Sequence, residues 1–264
     1  MLTVVKNQIK VSFLSIKYAL MREMLNKVTF LTNIIFMILN NASCIIQWIV
    51  LYSLKDNVGG YTFNQVMLLW GIAASTYGFS RFFFKNAFDL SELINIGKLD
   101  TYLVQPKNVL ISVITSNIST SAIGDILFGY IVLFIFGLSL SNLILFTIFT
   151  ICGGLILTSI SIILNSLSFW FNKTDIIADT INNLMVNFAT YPDGIFKGLT
   201  KILLYTLIPV GIVNYIPISI MTNFSLNNFI IVIGITILLI VFAFVLFYQG
   251  LKRYSSSNLM SARV

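Results

Sequence analysis

The stretch "FIIVIGITILLIVFAFVLFYQGL", from Phe229 to Leu251, runs for 23 residues without a charged side chain. At the rise of 1.5 Å per residue of an α-helix, it reaches the roughly 30 Å that the hydrocarbon core of a bilayer requires. Every backbone polar group must be satisfied internally in lipid, and a helix does this within one segment. The stretch therefore predicts a membrane-spanning helix, and with it an all-α integral membrane protein.

The composition of the whole chain agrees with this prediction. Hydrophobic residues make up 58% of the chain and charged residues 9%, against roughly 25% charged residues in a soluble domain. The two cysteines fall inside apolar runs, and histidine is absent, which removes the usual catalytic base and metal ligand. We therefore expect no catalytic residue, no metal site and no cofactor bound by this chain.

Further apolar runs predict six membrane-spanning helices within a single domain, residues 1–264. The predicted spans are Thr29–Leu54, Phe63–Phe84, Val109–Gly137, Leu143–Phe171, Ile176–Tyr191 and Phe229–Leu251. Ahead of the first span, residues 1–28 place apolar side chains at three- and four-residue steps, with basic side chains away from that stripe. This pattern predicts a helix that lies in the membrane interface, although the segment can also be the solvated start of the first span.

The basic residues predict the orientation of the chain. With the amino terminus inside, all but three of the 16 basic residues lie in cytoplasmic segments, and the exceptions are Lys55, Lys197 and Lys201. An excess of Lys and Arg on the cytoplasmic side is the usual mark of membrane orientation. Both termini are therefore expected in the cytoplasm, and the net charge of +7 does not require a nucleic-acid partner.

Residues 192–228 are apolar but interrupted by prolines. Pro192 and Pro209 bracket a segment of only about 24 Å as a helix, which is short for a crossing, and a seventh crossing would place the basic tail outside. We expect instead a re-entrant hairpin at the outer face, covered by other helices, which is either a moving gate or a static plug. The residues assigned to it are Tyr191, Pro192, Lys197, Lys201, Pro209 and Pro217.

The largest predicted cytoplasmic loop, residues 85–107, contains most of the stretch "NIGKLDTYLVQPKN" (95–108). A short helix, Leu90–Ile96, is expected to stop at a glycine, and a second turn, Asp100–Val104, to end ahead of a proline. Asp100 is expected to cap that turn. Leu99, Leu103 and Val104 are expected to form an exposed apolar knob. The loop is either a connector or a docking element, whose residues are Gly97, Leu99, Asp100, Leu103, Val104 and Pro106.

Polar residues inside the predicted spans form a further candidate site. Asn33, Asn40 and Gln47 recur every seven residues, so they share a helix face that is expected to point at another helix or at a pore. Asp125 is the one acidic residue inside a predicted span. Because burying a carboxylate in a membrane is costly, Asp125 is expected to be either a structural polar clamp or part of a gate or substrate path.

Several short motifs follow one another along the chain in an order that is typical of one family. They are "GKLDTYLVQPKN" (97–108), "FWF" (169–171), "ATYPDGIF" (189–196), "LLYTLIPVGIVNYIP" (203–217) and "GLKRYSSSN" (250–258). With the amphipathic start, they make the chain resemble a type-2 ABC transporter permease of the bacterial daunorubicin-resistance-like branch. The resemblance covers essentially the whole chain.

This resemblance implies a function that the chain cannot perform alone. It implies that the loop after the second span is a coupling helix seated in a nucleotide-binding subunit, and that residues 1–28 form an interfacial elbow helix. The chain has no G-x-x-x-x-G-K-[ST] phosphate loop, which an ATPase of this class needs. The expected partners are therefore two copies of an ABC ATPase carrying ATP and Mg²⁺, and a second permease chain, identical or related. The expected activity is export of a hydrophobic drug, lipid or lipophilic peptide across the bacterial cytoplasmic membrane.

Other functions fit the sequence less well. An ion-coupled carrier is expected to show several intramembrane carboxylates and an inverted repeat. A membrane enzyme acting on lipids needs a cluster of His, Asp or Glu at a membrane face. An immunity or resistance protein that binds a toxic peptide or lipid without transporting it shares the same fold, and the residues do not separate it from an exporter.

Overall fold

The computed structural model describes residues 2–171 and 174–255, and every regular element in these ranges is helical. Met1, Lys173 and residues 256–264, which the predictions include, lie outside the described ranges. The α-helices are α1 (Leu2–Glu23), α2 (Lys27–Leu54), α3 (Phe63–Phe88), α4 (Leu90–Asn95), α5 (Asp100–Leu103), α6 (Val109–Ile114), α7 (Ser121–Phe136), α8 (Leu140–Ser166), α9 (Thr174–Ala189), α10 (Gly198–Thr206), α11 (Ile216–Thr222) and α12 (Leu226–Leu251). Two 3₁₀ turns, Leu167–Phe169 and Asp193–Ile195, and a π-helical turn, Gly211–Tyr215, complete the fold.

Three helices in the described ranges are long and apolar enough to cross a membrane. They are α2, α12, and α8 together with its 3₁₀ turn. The pair formed by α10 and residues 211–222, which is bent by 76°, raises the count to as many as four. The chain is therefore a multi-pass helical membrane protein by length and composition, and the count of six crossings stays a prediction.

Helix α3 lies at the centre and packs mainly against α7 and α8. It begins where the side-chain oxygen of Gln65 accepts a hydrogen bond from the backbone N–H of Thr62 at 2.9 Å, as in a capping box. A Cβ added to Gly129 of α7 would collide with the hydroxyl of Ser75 on α3. Small residues therefore bring the two helix backbones close together, as is common between membrane helices.

The predicted third span, Val109–Gly137, is wrong as one continuous helix. The structure divides it into α6 and α7 at residues 115–120, "TSNIST". The hydroxyl of Thr115 donates to a carbonyl one turn earlier at 2.7 Å, and the side-chain oxygen of Asn117 accepts from the next backbone N–H at 3.1 Å. Such side chains compete with the helical hydrogen bonds of the backbone, so the helix ends although its surroundings stay apolar.

Candidate functional site

The loop between α3 and α6 consists of two short helices joined at a glycine. Gly97 has φ +74°, a left-handed conformation that glycine adopts without steric cost. The backbone N–H of Lys98 donates to the carbonyl of Leu93 at 3.0 Å, and that of Gly97 donates to Ile94 at 3.2 Å. These two bonds form a Schellman motif, and they confirm the prediction that the first helix stops at Gly97.

The inner side of this loop is apolar and buried. Leu90, Ile94 and Leu99 lie in one cluster with Val113 of α6 and Phe247 of α12. The expectation that Leu99 belongs to the exposed knob is therefore wrong. The glycine turn directs the chain back over the apolar side of α4, and burial there removes the leucine from water.

The outer side of the loop carries apolar side chains that nothing in the described chain covers. Ile96 is 44% exposed, Leu103 41% and Val104 84%. Their neighbours Lys98 and Pro106 are exposed as well. Two of the three predicted knob residues, Leu103 and Val104, are therefore exposed, and Ile96 is a further exposed apolar side chain of the same loop. We call Ile96, Leu103 and Val104 the loop patch.

Asp100 is the first residue of α5 and does not cap it. The N-cap is Leu99, whose backbone is already helical and which makes no side-chain cap hydrogen bond. The expected cap is therefore wrong, because the helical conformation begins one residue before the carboxylate. Asp100 lies near Tyr254 instead, where burial first, and then the nearby carboxylate, raise the pKa of the tyrosine hydroxyl. The loop is therefore close to the chain beyond α12.

Polar contacts hold the loop and the helix end from which it starts. The side-chain amide of Asn86, near the end of α3, donates to the Ser116 hydroxyl at 2.7 Å, and the Tyr102 hydroxyl of the loop donates to the same oxygen at 2.9 Å. Asn165 of α8 donates to the backbone carbonyl of Ala87, also near the end of α3, at 3.3 Å. The loop is therefore bonded to the break after α6, and the end of α3 that precedes it is bonded to α8.

A buried polar pair joins α2 to α7. Asp125 is 3% exposed, and its carboxylate accepts a hydrogen bond from the side-chain amide of Asn41 at 2.7 Å. Close by, the Asn33 amide donates to the Thr120 hydroxyl at 3.2 Å. A buried carboxylate needs such a donor to offset its desolvation, so this geometry matches a polar clamp between two helices.

The predicted polar face of α2 does not act as one unit. Only Asn33 reaches another helix, while Asn40 and Gln47 are exposed and make no side-chain hydrogen bond within the described residues. Asn41, the partner of Asp125, lies one position off the seven-residue pattern. The sequence shows the amide but not the register of α2 against α7, so the pattern alone does not single it out.

Residues 192–228, which the sequence predicts at the outer face and which we call the outer segment, contain a bent helical pair. Helix α9 ends at Ala189, ahead of Pro192, as expected because proline restricts the residue before it. Pro209 lies in the turn after α10, and Pro217 in the first turn of α11. Tyr191 is 42% exposed, and its ring packs edge-on against Trp48 of α2.

The π-helical turn Gly211–Tyr215 is buried. The hydroxyl of Tyr215 donates to the backbone carbonyl of Phe188, in α9, at 2.8 Å. A Cβ at Gly211 would lie 2.5 Å from the ring edge of Tyr205. The innermost part of the outer segment is therefore held by close packing against α9 and α10.

An acidic residue that sequence reasoning did not select organises the start of this segment. Asp193 accepts from Lys201 Nζ at 2.8 Å and from the Tyr205 hydroxyl at 3.1 Å, while Lys197 is exposed. Burial first, and then Asp193, raise the pKa of Tyr61 in the loop between α2 and α3. Asp193 lies in the 3₁₀ turn and Lys201 in α10, and the backbone between them is extended at Phe196 and Lys197. No helical periodicity therefore relates the two residues, and only the fold brings them together.

Two glycines bring the loop between α2 and α3 against the start of the outer segment. Gly59 has φ +60°, and a Cβ added at Gly194 would collide with the backbone carbonyl of Gly59. The backbone of the loop between α2 and α3 therefore rests directly on the start of the outer segment. This contact lies at one end of the bundle, and the loop between α3 and α6 forms the corresponding contact region at the other end.

These features define a multi-pass helical membrane protein with an anchored loop, a loop patch at one end and a bent helical pair at the other. The family description "ABC-2 family transporter protein" matches residues 38–258, which is most of the chain. The chain therefore belongs to the ABC-2 transporter family, the membrane permease component of ABC transporters, which associates with an ABC ATPase. Comparisons with curated proteins and with solved structures give no match.

Proposed function

We propose that the chain is the permease subunit of an ATP-driven exporter in the bacterial cytoplasmic membrane. Two copies of an ABC ATPase and a second permease chain, identical or related, complete the transporter. Six crossings, an interfacial α1 and cytoplasmic termini make up its topology. The substrate is a hydrophobic drug, lipid or lipophilic peptide, in keeping with the apolar composition of the chain.

The observation that carries this proposal is the exposed loop patch, which lies on a loop whose other side is buried against the helices. Exposed apolar groups bounded by polar residues mark protein interaction sites. Here Leu103 and Val104 project from a loop whose inner side, including Leu99, is fully buried. Such a loop presents a small apolar surface in a fixed position, as a coupling helix requires.

The anchors of the loop supply the route for mechanical work. A load on the patch reaches the break after α6 through Tyr102 and Ser116, and the end of α3 through Asn86. From α3 it reaches α8 through Asn165. When ATP binding closes the two ATPase subunits, the two loops of a permease pair approach each other and move these helices. The outer helical pair, α10 and α11, then acts as the gate on the far side.

Replacing Val104 or Leu103 with Asp tests the docking step. Each variant is expected to reach the membrane at the normal level but to lose the ATPase on affinity purification, because a charge would be placed in an apolar contact. Leu54→Asp is the matched control, since Leu54 is 77% exposed at the opposite end of the proposed topology, and it should retain the ATPase. Undiminished recovery of the ATPase with Val104→Asp would count against docking at this loop.

A transport assay separates export from resistance by binding alone. Inside-out vesicles that contain the complex are expected to accumulate a lipophilic dye when ATP is added. Vesicles that contain the Val104→Asp variant are expected not to accumulate it. If the ATPase co-purifies and resistance to a toxic peptide is observed, but no tested compound moves, the immunity function is favoured over the exporter.

A further inference from the structure

A groove runs between α1 and the end of the loop between α3 and α6, which we call the coupling loop. Its volume is about 690 Å³, within the roughly 300–1,000 Å³ that is usual for small-molecule sites. Its walls come from α1, the end of α3 and α6. They include Gln8, Ser12, Phe13, Phe84, Lys107 and Ile111. The lining is mainly apolar, and Lys107 is its single charged residue among the described residues that form it.

A second apolar cavity adjoins the groove. Its volume is about 220 Å³, it reaches α8 and α12, and Phe84 and Ile111 line both cavities. The backbone of Phe84 departs from helical geometry, with φ −136° and ψ 38°, so α3 is kinked at the point where the cavities meet. We call the groove and the adjoining cavity together the slot; its lining is mainly apolar, with Lys107 on the groove side.

Two polar side chains of α1 line the groove, and they differ in whether they have a hydrogen-bond partner. The Gln8 side chain is fully used, since its oxygen accepts from the backbone N–H of Asn108 at 2.9 Å and its amide lies 3.4 Å from the Ser112 hydroxyl. The Ser12 hydroxyl is buried and makes no hydrogen bond within the described part of the chain. Buried polar groups normally find a partner, so Ser12 offers a hydrogen bond to a ligand in the slot.

The surroundings indicate the charge of that ligand. Lys6, Lys10 and Lys17 are exposed on the same helix, α1, outside the groove lining. Basic pockets and basic amphipathic helices on the cytoplasmic side attract anionic lipid headgroups. An elongated apolar ligand with an anionic head matches both the slot and the cations.

We propose that this groove binds one anionic phospholipid of the cytoplasmic leaflet. An acyl chain occupies the slot past Phe84, an ester oxygen accepts from the Ser12 hydroxyl, and Lys107 pairs with the phosphate. The proposal rests on the interfacial position of α1 given under the proposed function. It makes the lipid a structural link between the elbow helix and the coupling loop, because Lys107 belongs to the end of that loop.

A photoreactive lipid tests the site in the full-length permease. The protein is reconstituted in phosphatidylcholine vesicles containing a trace of phosphatidylglycerol with a diazirine on one acyl chain, and labelled residues are mapped by mass spectrometry. Labels are expected at Phe84 and Ile111. Lys107→Gln should lower this labelling about fivefold, the effect of one lysine near an anionic headgroup. Lys98→Gln, an exposed lysine of the same loop outside the groove, should not change it.

A second pair of variants tests the slot itself. Ser12→Phe fills the groove and should abolish labelling by both the phosphatidylglycerol probe and a phosphatidylcholine probe, whereas Ser43→Phe, on the exposed face of α2, should not. Labels spread over the exposed faces of α2 and α12, or labelling unchanged in Ser12→Phe and Lys107→Gln, would overturn the proposal. Because no ATPase is present, failure here leaves the docking proposal standing, and loss of docking in Val104→Asp with groove labelling intact would do the reverse.

Discussion

At the scale of single residues, disruption of the contact between Asn41 and Asp125 tests whether this buried carboxylate is structural. Asn41→Ala removes the donor 2.7 Å from the carboxylate and leaves the acid buried without it. We expect the free energy of unfolding to fall by about 1–2 kcal/mol, between the ~0.6 kcal/mol average for interhelical hydrogen bonds in membranes and the ~1–3 kcal/mol for a buried group left unsatisfied. Unfolding by SDS in mixed micelles measures this.

Asn40→Ala is the control for this change. Asn40 is the adjacent, exposed amide without a side-chain hydrogen bond in the described residues, so its loss should cost little. Equal effects of the two variants would argue against a clamp. Asp125→Asn retains the size of the side chain, and loss of transport in that variant with normal stability would assign Asp125 to the gate.

Sequence reasoning at this scale identified residue types better than partners. It singled out Asp125, which is buried beside a donor, and Gly97, which has a positive φ, because a carboxylate in an apolar run and a glycine between two short helices are visible without a structure. It missed Asn41 and Asp193, and it placed Leu99 on the wrong side of the loop. Each of these depends on how two segments meet in space, which the spacing of residues along one helix does not contain.

At the scale of elements, the outer helical pair is expected to act as a gate that depends on tight backbone contacts. Gly194→Val would force the start of this segment away from Gly59, and Gly211→Val would push into the ring of Tyr205. We expect transport by either variant to fall severalfold while the ATPase remains bound, because the distortion lies at the far end from the loop patch. The measurements are dye transport in vesicles and co-purification.

Gly234→Val provides the matched control, since a Cβ at Gly234 meets nothing within 4 Å. That variant should transport normally. Normal transport in the Gly194 and Gly211 variants as well, with the complex intact, would favour a static plug over a gate.

Most helices could be predicted from hydropathy, with one failure that has a chemical cause. Helices α2, α3, α8, α9 and α12 fall within a few residues of their predicted ranges. The third span was predicted as one helix because hydropathy averages over the "TSNIST" stretch. The side chains of that stretch bond to their own backbone and divide the helix. An average over a window cannot detect such local competition.

At the scale of the whole molecule, the orientation of the chain in the membrane is open to a direct test. With Cys44 and Cys152 first replaced by Ala, Lys197→Cys should react with an impermeant thiol reagent in intact cells, and Lys98→Cys should react only after permeabilisation. Both positions are exposed in the structure, so accessibility reports the side of the membrane and not burial. Labelling of Lys98→Cys from outside would reject the proposed topology.

The break between α6 and α7 sets how force is distributed in this molecule. A continuous helix from Val109 to Gly137 would act as a stiff rod and carry any displacement of the coupling loop directly into α7. The interruption at residues 115–120 ends that rod, and Ser116 and Ser119 within it bond to Asn86 and Arg81 of α3. In the proposed mechanism, a stroke of the ATPase is therefore shared between α6 and the end of α3 before it reaches α7.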